Sequence, residues 1–448
     1  MKKINKFFLV VVMSLLLTGC GGEYREGKRT ASEGAGRYTY CTDTNLYRFA
    51  GDETGSYILQ SRLDGTQERK LQLWNVEMLD YVSGHWLYYE VLMEKDDKNG
   101  VPMTAVYRVP IYRDGDGYDV AAEEEAELVV SGINTKAPVY VDDEYVLYTK
   151  ANEGTFIKYD IEKKRKMPNE VKMKGADPGG CVRVGDTFVM NDYDSDRLYA
   201  QPKEALTWEL VADVNLNWQP EAWNDRAFYY AEGKEDASGT EYSDSVWRYD
   251  AETGVHERFV SKEELYQTAS QALSLTEKDE LDFCYLDGLF CQNDRLYVQT
   301  QTDWESEGIY YMRYMIFSKG QDGAPLRYEK ALTETMWQKG CECGIEKVNG
   351  NDAQCIGMAD GRAYLSLYDY EKEKAGFGCL ELDSKEFCWL DSEDAKAFAL
   401  EYDEQTIGSN RAKGSEGRES VMENDQDENE CIGFWYGTDS NQSWSRKG

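Results

Sequence analysis

Val139-Tyr-Val-Asp-Asp-Glu-Tyr-Val-Leu-Tyr148 is the stretch that decides the fold. Aliphatic and aromatic residues suited to a pleated, half-buried surface flank three acidic residues that suit a tight turn. The same unit recurs as Tyr81 to Tyr88, Val182 to Val189, Ala222 to Tyr229, Phe290 to Tyr297 and Ile356 to Tyr364. Each copy reads as a hairpin. A second unit follows most copies: Ser61 to Thr66, Ile157 to Arg165, Trp247 to Val255 and Cys379 to Glu386. Two hairpins in succession make a four-stranded meander.

The first-unit turns centre near 84, 143, 185, 225, 294 and 360, at intervals of about 40 to 69 residues. A propeller blade with short loops takes about 40–45, and the longer intervals carry visible insertions. Adding the partial copy Tyr38 to Tyr47, the chain is expected to be an all-β propeller of about seven four-stranded blades over residues 37–400. Radial closure suits such repeats because it leaves only short, protected edges. A β-sandwich, or two smaller β domains, is the competing architecture. The Tyr-rich repeats resemble bacterial lipoprotein propellers of the YWTD/TolB-like kind. The resemblance is of pattern, since no strict YWTD tetrad recurs. Helix is confined to insertions. Ser261-Lys-Glu-Glu264 is a capping box opening a helix with Leu265, Ala269, Ala272 and Leu273 on one face. Asp391 to Asp394 marks a second short one.

The chain begins with Lys2, Lys3 and Lys6, then an apolar run from Phe7 to Leu17, then Leu17-Thr18-Gly19-Cys20. The run is too short to span a bilayer and has the form of a signal peptide. Leu17 to Cys20 resembles the bacterial lipoprotein lipobox. That resemblance implies residues 1–19 as signal peptide and cleavage before Cys20. It also implies palmitate-type acylation of Cys20, and a protein lipid-anchored outside the cytoplasm to the cell membrane, or to the outer membrane of a Gram-negative host. Residues 20–36 read as a flexible tether. Residues 401–430 read as an acidic mobile segment, and 431–448 as a possible closing strand and tail. Ring closure is expected from one of two segments pairing into the last blade, 38–41 or 431–436.

Composition narrows the function. The 448 residues carry 50 Lys+Arg against 84 Asp+Glu, a net charge of −34 that becomes −37 once the three signal-peptide lysines are removed. Nucleic-acid binding needs a basic footprint, so no nucleic-acid partner is expected. The two histidines, His85 and His256, leave little material for His-based catalysis. No nucleophile, phosphate-loop or zinc motif appears, and no metal or cofactor is expected. Asp192-Tyr-Asp-Ser-Asp196 alternates carboxylates as calcium loops do, but Arg197 and Lys203 stand where that loop needs Gly and Glu. It reads as a solvated turn.

Trp208, Trp218 and Trp223, with Gln219 and Glu221 among them, are the candidate binding surface for a sugar or peptide. Ten cysteines remain beside Cys20, an even number in an exported chain. An Asp287-Gly288 two-residue turn would set Cys284 against Cys291. A four-residue loop at 382–385 would set Cys379 against Cys388. These two pairs are the candidate disulfides; free thiols are the alternative. The function expected is a non-enzymatic, membrane-anchored interaction propeller for a protein, peptide or glycan. The competing expectation is a propeller-fold hydrolase or lyase acting on extracellular glycans or peptides, with carboxylates converging at the channel.

Overall fold

In a computed structural model of the chain, the described residues lie between Thr39 and Leu390. Residues 1–38, 339–350, 391–448 and several short loop segments lie outside them. The lipobox, Cys20, the tether, the second short helix, the acidic segment and residues 431–448 therefore fall outside the described residues.

Seven antiparallel meanders follow one another along the chain. Blade 1 opens with β1 (Thr39–Cys41) and runs through Arg69–Lys70. Blades 2 to 7 open with strands beginning at Val76, Val139, Pro178, Glu221, Glu280 and Asn351. The first strands of most neighbouring blades touch, and that of blade 7 touches that of blade 1. They therefore line a central axis and the ring is closed. The molecule is a seven-bladed β-propeller.

All six turns read from the sequence join the first and second strands of blades 2 to 7. Examples are Ser83 opposite Trp86, Val184 opposite Thr187 and Gln292 opposite Arg295. The second unit joins third and fourth strands, where aspartate fixes the turn. Asp250 accepts from the Thr253 amide (2.9 Å) and hydroxyl (2.8 Å). Asp160 accepts from the Lys163 amide at 2.8 Å, and Asp64 from the Thr66 amide at 2.9 Å. An Asp side chain that mimics a backbone turn is the physical content of the repeat.

Seven apolar clusters hold the ring, and each spans two adjacent blades. Alternation along every strand sends one set of side chains to each neighbouring blade. The largest cluster, between blades 5 and 6, takes in helix α1 (Lys262–Ala272). Ser261 Oγ accepts from the Glu264 amide at 3.1 Å, and Leu265, Ala269 and Leu273 are buried as their spacing requires.

The expectation that 38–41 pairs into the last blade is corrected, while its alternative, 431–436, lies outside the described residues. Residues 39–41 pair with Leu46 to Arg48 inside blade 1, and blade 7 takes all four strands from its own stretch of chain. The short turn before Asn45 favours the local partner, because a distant one carries a larger loop-closure entropy. The 7–1 seam is side-chain packing among Leu46, Leu63, Tyr364, Phe377, Cys379 and Leu390. Arg48 adds its guanidinium 4.0 Å above the Phe377 ring.

The hairpin expected at 284–291 is also corrected. Glu280–Gln292 is one strand, and Asp287-Gly288 forms a β-bulge opposite Gln299. Cys284 faces Thr302 and Cys291 faces Leu296. Seven positions along one strand span roughly 23 Å, far beyond disulfide reach. The register of Cys379 is as read: it stands directly opposite Cys388.

Candidate functional site

Strand alternation gives the ring two faces. Turns between first and second strands lie on one face. Turns between second and third strands, and the links between blades, lie on the other, here called the upper face. Blade 6 overshoots there. Its second and third strands, Arg295–Ser306 and Ile309–Gly320, have 12 residues each, against 6 in the second strand of blade 4. Six more residues are roughly 20 Å of strand. Glu280–Tyr285 of the first strand accompanies them, and Thr335–Gln338 pairs along the outer side of the third.

The two sides of this projection differ. Cys284, Thr302, Trp304 and Tyr311 are buried toward blade 5, with Trp304 stacked on Tyr311 at 5.0 Å and 11°. The opposite side is only partly covered: Tyr285, Gln301, Asp303, Met312 and Tyr314 are half-buried there and Phe283 is exposed. The register puts Phe283 beside Asp303, Tyr285 beside Gln301, Asp303 beside Met312 and Gln301 beside Tyr314. Phe283 is 43% exposed and stacks on Tyr285 at 5.0 Å and 17°. Tyr242, from the upper hairpin of blade 5, packs on Tyr285 at 5.6 Å. The result is a stacked pair of rings, Phe283 on Tyr285, with Tyr242 tilted against it at 54° and a carboxyl and an amide at its edge.

Burial pushes the Asp303 carboxyl up to about 6, and the nearby Asp282 carboxylate pushes the same way, while Gln301 opposes. The Gln301 side-chain amide lies 3.4 Å from both Asp303 oxygens. Near neutral pH Asp303 therefore exchanges between a hydrogen-bond donor and an anion. Rings with a planar amide and a carboxyl at their edge can stack on an apolar ligand face and hydrogen-bond its polar rim.

Of the tryptophans expected to form a binding surface, the two described ones pack on different seams. Trp208 packs on the seam between blades 3 and 4 and Trp223 on that between blades 4 and 5. Trp218 lies outside the described residues. Their polar neighbours are engaged in holding blades together: Glu221 accepts from Asn191 Nδ2 at 2.7 Å, and Gln219 accepts from Ser243 Oγ. Asp192 and Arg197 close the turn whose carboxylates alternate, and 193–195 lie outside the described residues. Among the described residues no group of three or more His, Cys, Asp or Glu is placed to hold a metal ion.

His256 is sandwiched between Trp247 (5.0 Å, 19°) and Tyr230 (5.9 Å, 10°), and its Nε2 lies 2.6 Å from Tyr230 Oη. Burial lowers its pKa, so the neutral ring is a packing element. Cys181, Cys284 and Cys355 are buried in different seams, and burial pushes the thiols of Cys284 and Cys355 up to about 12. Such thiols are inert. The signal that the tryptophan reading missed is length. Ile309 to Ser318 runs without a turn residue, longer than any strand of blades 3 to 5.

No protein-family model matches the chain, and no curated protein matches it. Solved structures share the fold at low identity. The propeller domain of the Trilobed protease from Pyrococcus furiosus, described as having an open velcro topology, is 11% identical with a TM-score of 0.41, covering 83% of this chain and 100% of that one. A chain from a structural study of two prolyl endopeptidases is 13% identical with a TM-score of 0.43, covering 82% of this chain and 48% of that one. A chain of a nidogen/laminin complex is 10% identical with a TM-score of 0.35, covering 68% and 91%.

Proposed function

We propose that the chain is a membrane-anchored extracytoplasmic lipoprotein whose propeller binds a peptide, protein or glycan without transforming it. The observation that supports the binding role is the side of the blade-6 projection where exposed Phe283 stacks on Tyr285 beside Asp303 and Gln301. Exposed aromatic rings at the edge of a rigid sheet make contact area at low conformational cost. Leu17-Thr18-Gly19-Cys20 supports the anchor, with Cys20 as the acylated residue. Two or three acyl chains hold a protein stably where one does not.

Two measurements test this reading. The soluble form starting at Gly21 is screened against peptide and glycan arrays, and the hits are repeated with Phe283→Ala and Tyr285→Ala. Loss of at least tenfold in affinity is expected for each, and unchanged affinity in both rejects the ring pair. For the anchor, Cys20→Ala abolishes incorporation of labelled palmitate; labelling equal to wild type rejects Cys20 as the acylated residue.

One observation favours a hydrolase or lyase as the second reading. A carboxyl raised to about 6 beside Asp282 is poised as a general acid. Turnover of an array hit that disappears in Asp303→Asn would decide for it.

A further inference from the structure

We infer that the partly covered side of the blade-6 projection is a subsite for the guanidinium of an arginine in a peptide ligand, stacked on Phe283 and paired with Asp303. This rests on the binding reading above and names the chemistry of its ligand. The chain itself supplies the pattern. Arg108 has its Cζ 3.9 Å from the Trp86 ring centroid and its Nη2 2.8 Å from Glu127. Arg48 lies 4.0 Å over the Phe377 ring and 2.6 Å from Glu68. Lys262 lies 5.0 Å over Tyr266 and 3.4 Å from Asp244. In each case one cation meets the negative face of a ring and a carboxylate together.

On the blade-6 projection the ring and the carboxyl of that pattern stand side by side, Phe283 opposite Asp303 in the ladder, within reach of one ligand group. Tyr285 covers one face of the Phe283 ring, yet Phe283 remains 43% exposed. Among the described residues, the only side-chain hydrogen-bond partner of the Asp303 carboxyl is the Gln301 amide at 3.4 Å, and no Lys or Arg pairs with it. Arg313 on the third strand stands opposite Thr302, on the other side of the sheet, where its Cζ lies 5.4 Å from the Trp304 ring centroid. Asp282, beside Phe283, adds negative charge close to Asp303. A guanidinium seated on Phe283 would relieve that repulsion.

The chemistry favours this ligand over others. A guanidinium is planar, stacks on a ring and offers a carboxylate two parallel donors. A neutral ligand would cover the half-buried Asp303 without compensating its charge, which is costly. A small free cation is also disfavoured. Sites for small ligands enclose most of the ligand surface, whereas a ring pair on the side of a sheet covers one group of it. A peptide adds contacts along the same edge, where Tyr242 tilts against Tyr285. The net charge of −34 draws basic segments toward the ring from a distance.

Fluorescence anisotropy on full-length protein in detergent, slightly above neutral pH, tests it. The probes are a labelled peptide of alternating glycine and arginine and the same peptide with citrulline for arginine. Citrulline keeps the shape and removes the charge. Saturable binding of the arginine peptide is expected, about tenfold weaker with citrulline. Phe283→Ala and Asp303→Asn should each weaken it about fivefold. Asp303→Asn keeps the fold, because removing a carboxyl raised by burial stabilises the protein at that pH. Glu124→Gln removes an exposed charge on blade 2 and should bind as wild type does. Equal affinity for the two peptides overturns the inference. So does a loss in Glu124→Gln as large as that in Asp303→Asn, since binding would then follow net charge. The array screen separates this inference from the reading beneath it. Hits without arginine that weaken in Phe283→Ala keep the ring pair as a binding site and overturn the guanidinium. Hits indifferent to Phe283→Ala reject the ring pair, and this inference with it.

Discussion

The Tyr364 hydroxyl donates a hydrogen bond of 2.8 Å to the Leu63 carbonyl, joining residues 301 positions apart across the last seam of the ring. Tyr364 is fully buried, as are the carbon groups around it. Among the described residues no strand is exchanged between blades 7 and 1, so this bond and the surrounding packing join the two blades there. Tyr364→Phe keeps the packing and removes the hydroxyl. The cost is about 1–2 kcal/mol, because the Leu63 carbonyl loses a buried partner. Gly65→Ala attacks the same seam from the other side. Gly65 has φ +77° and no room for a Cβ beneath Leu390, so about 1–3 kcal/mol is lost. Urea unfolding of both variants checks the seam, and a midpoint equal to wild type in both shows that closure lies elsewhere.

The turn aspartates should rank by burial. The Asp250 side chain is 1% exposed and also takes Arg226 Nε at 3.0 Å and Arg248 at 3.3 Å. Asp64 is exposed, hydrogen-bonds within its own turn and has Arg362 of blade 7 as a nearby charge. Asp250→Ala leaves Arg248 without its buried counter-ion and costs about 3 kcal/mol; Asp64→Ala costs less. Burial alone would raise the Asp250 carboxyl, but bonds from Thr253 and Arg226 outweigh it and hold the carboxyl below the usual 3.8. Asp160 is lowered in the same way through Lys163. A depressed pKa contributes stability above the unfolded value and loses it as pH falls through the folded one. Wild-type stability should therefore drop below about pH 4, and the deficit of Asp250→Ala should shrink there. A deficit constant from pH 7 to pH 2 contradicts this account.

The turns were legible in the sequence because Asn, Asp and Gly punctuate a chain of otherwise strand-forming residues. The helix was legible because Ser261 and Glu264 mark its start. Asp287-Gly288 misled for a physical reason. Gly288 supplies a close approach, since a Cβ there would sit 2.9 Å from Phe290 Cε2, and Asp287 accepts from Gln299 Nε2 across the ladder. A turn dipeptide inside a long strand marks a bulge when the next strand is long enough to pair with both halves, and 295–306 is. Reading a turn there cut the projection in two and hid the side of the sheet that carries Phe283 and Asp303. The cross-strand meeting of Cys379 and Cys388 was legible because its loop contains no such ambiguity.

Asp303 makes the opposite pH prediction from the turn aspartates. Its carboxyl is raised to about 6 by burial. A raised pKa means that the folded state prefers the proton; the group's favourable contribution is complete below pH 3.8 and is lost as pH rises through about 6. Asp303→Asn removes the ionisation while keeping the shape. The variant should gain about 3 kcal/mol over wild type at pH 7.5, and the gain should vanish near pH 4. Urea midpoints measured at both values check it. A gain that is the same at both pH values assigns the effect to packing rather than charge.

Glu264 couples the one described α-helix to the ring. Its carboxylate accepts from Lys319 Nζ at 2.8 and 2.7 Å and from the Leu326 amide at 2.9 Å. The Lys319 side chain is only 10% exposed, and its ammonium lies 5.3 Å from the Phe259 ring centroid. The helix thus bridges the end of blade 5 and the third-to-fourth-strand turn of blade 6. Glu264→Ala leaves a nearly buried ammonium and an unmet amide, which costs about 3–5 kcal/mol. Lys319→Met leaves only a half-buried carboxylate that still accepts from Leu326, so its cost is smaller. The double variant should recover at least 1 kcal/mol of the sum of the single losses, because contacting charges are not additive. Urea unfolding of the four proteins gives the coupling. Additive losses would mean that Glu264 acts through the Leu326 amide alone, and that the helix is held to blade 6 by its apolar face rather than by charge.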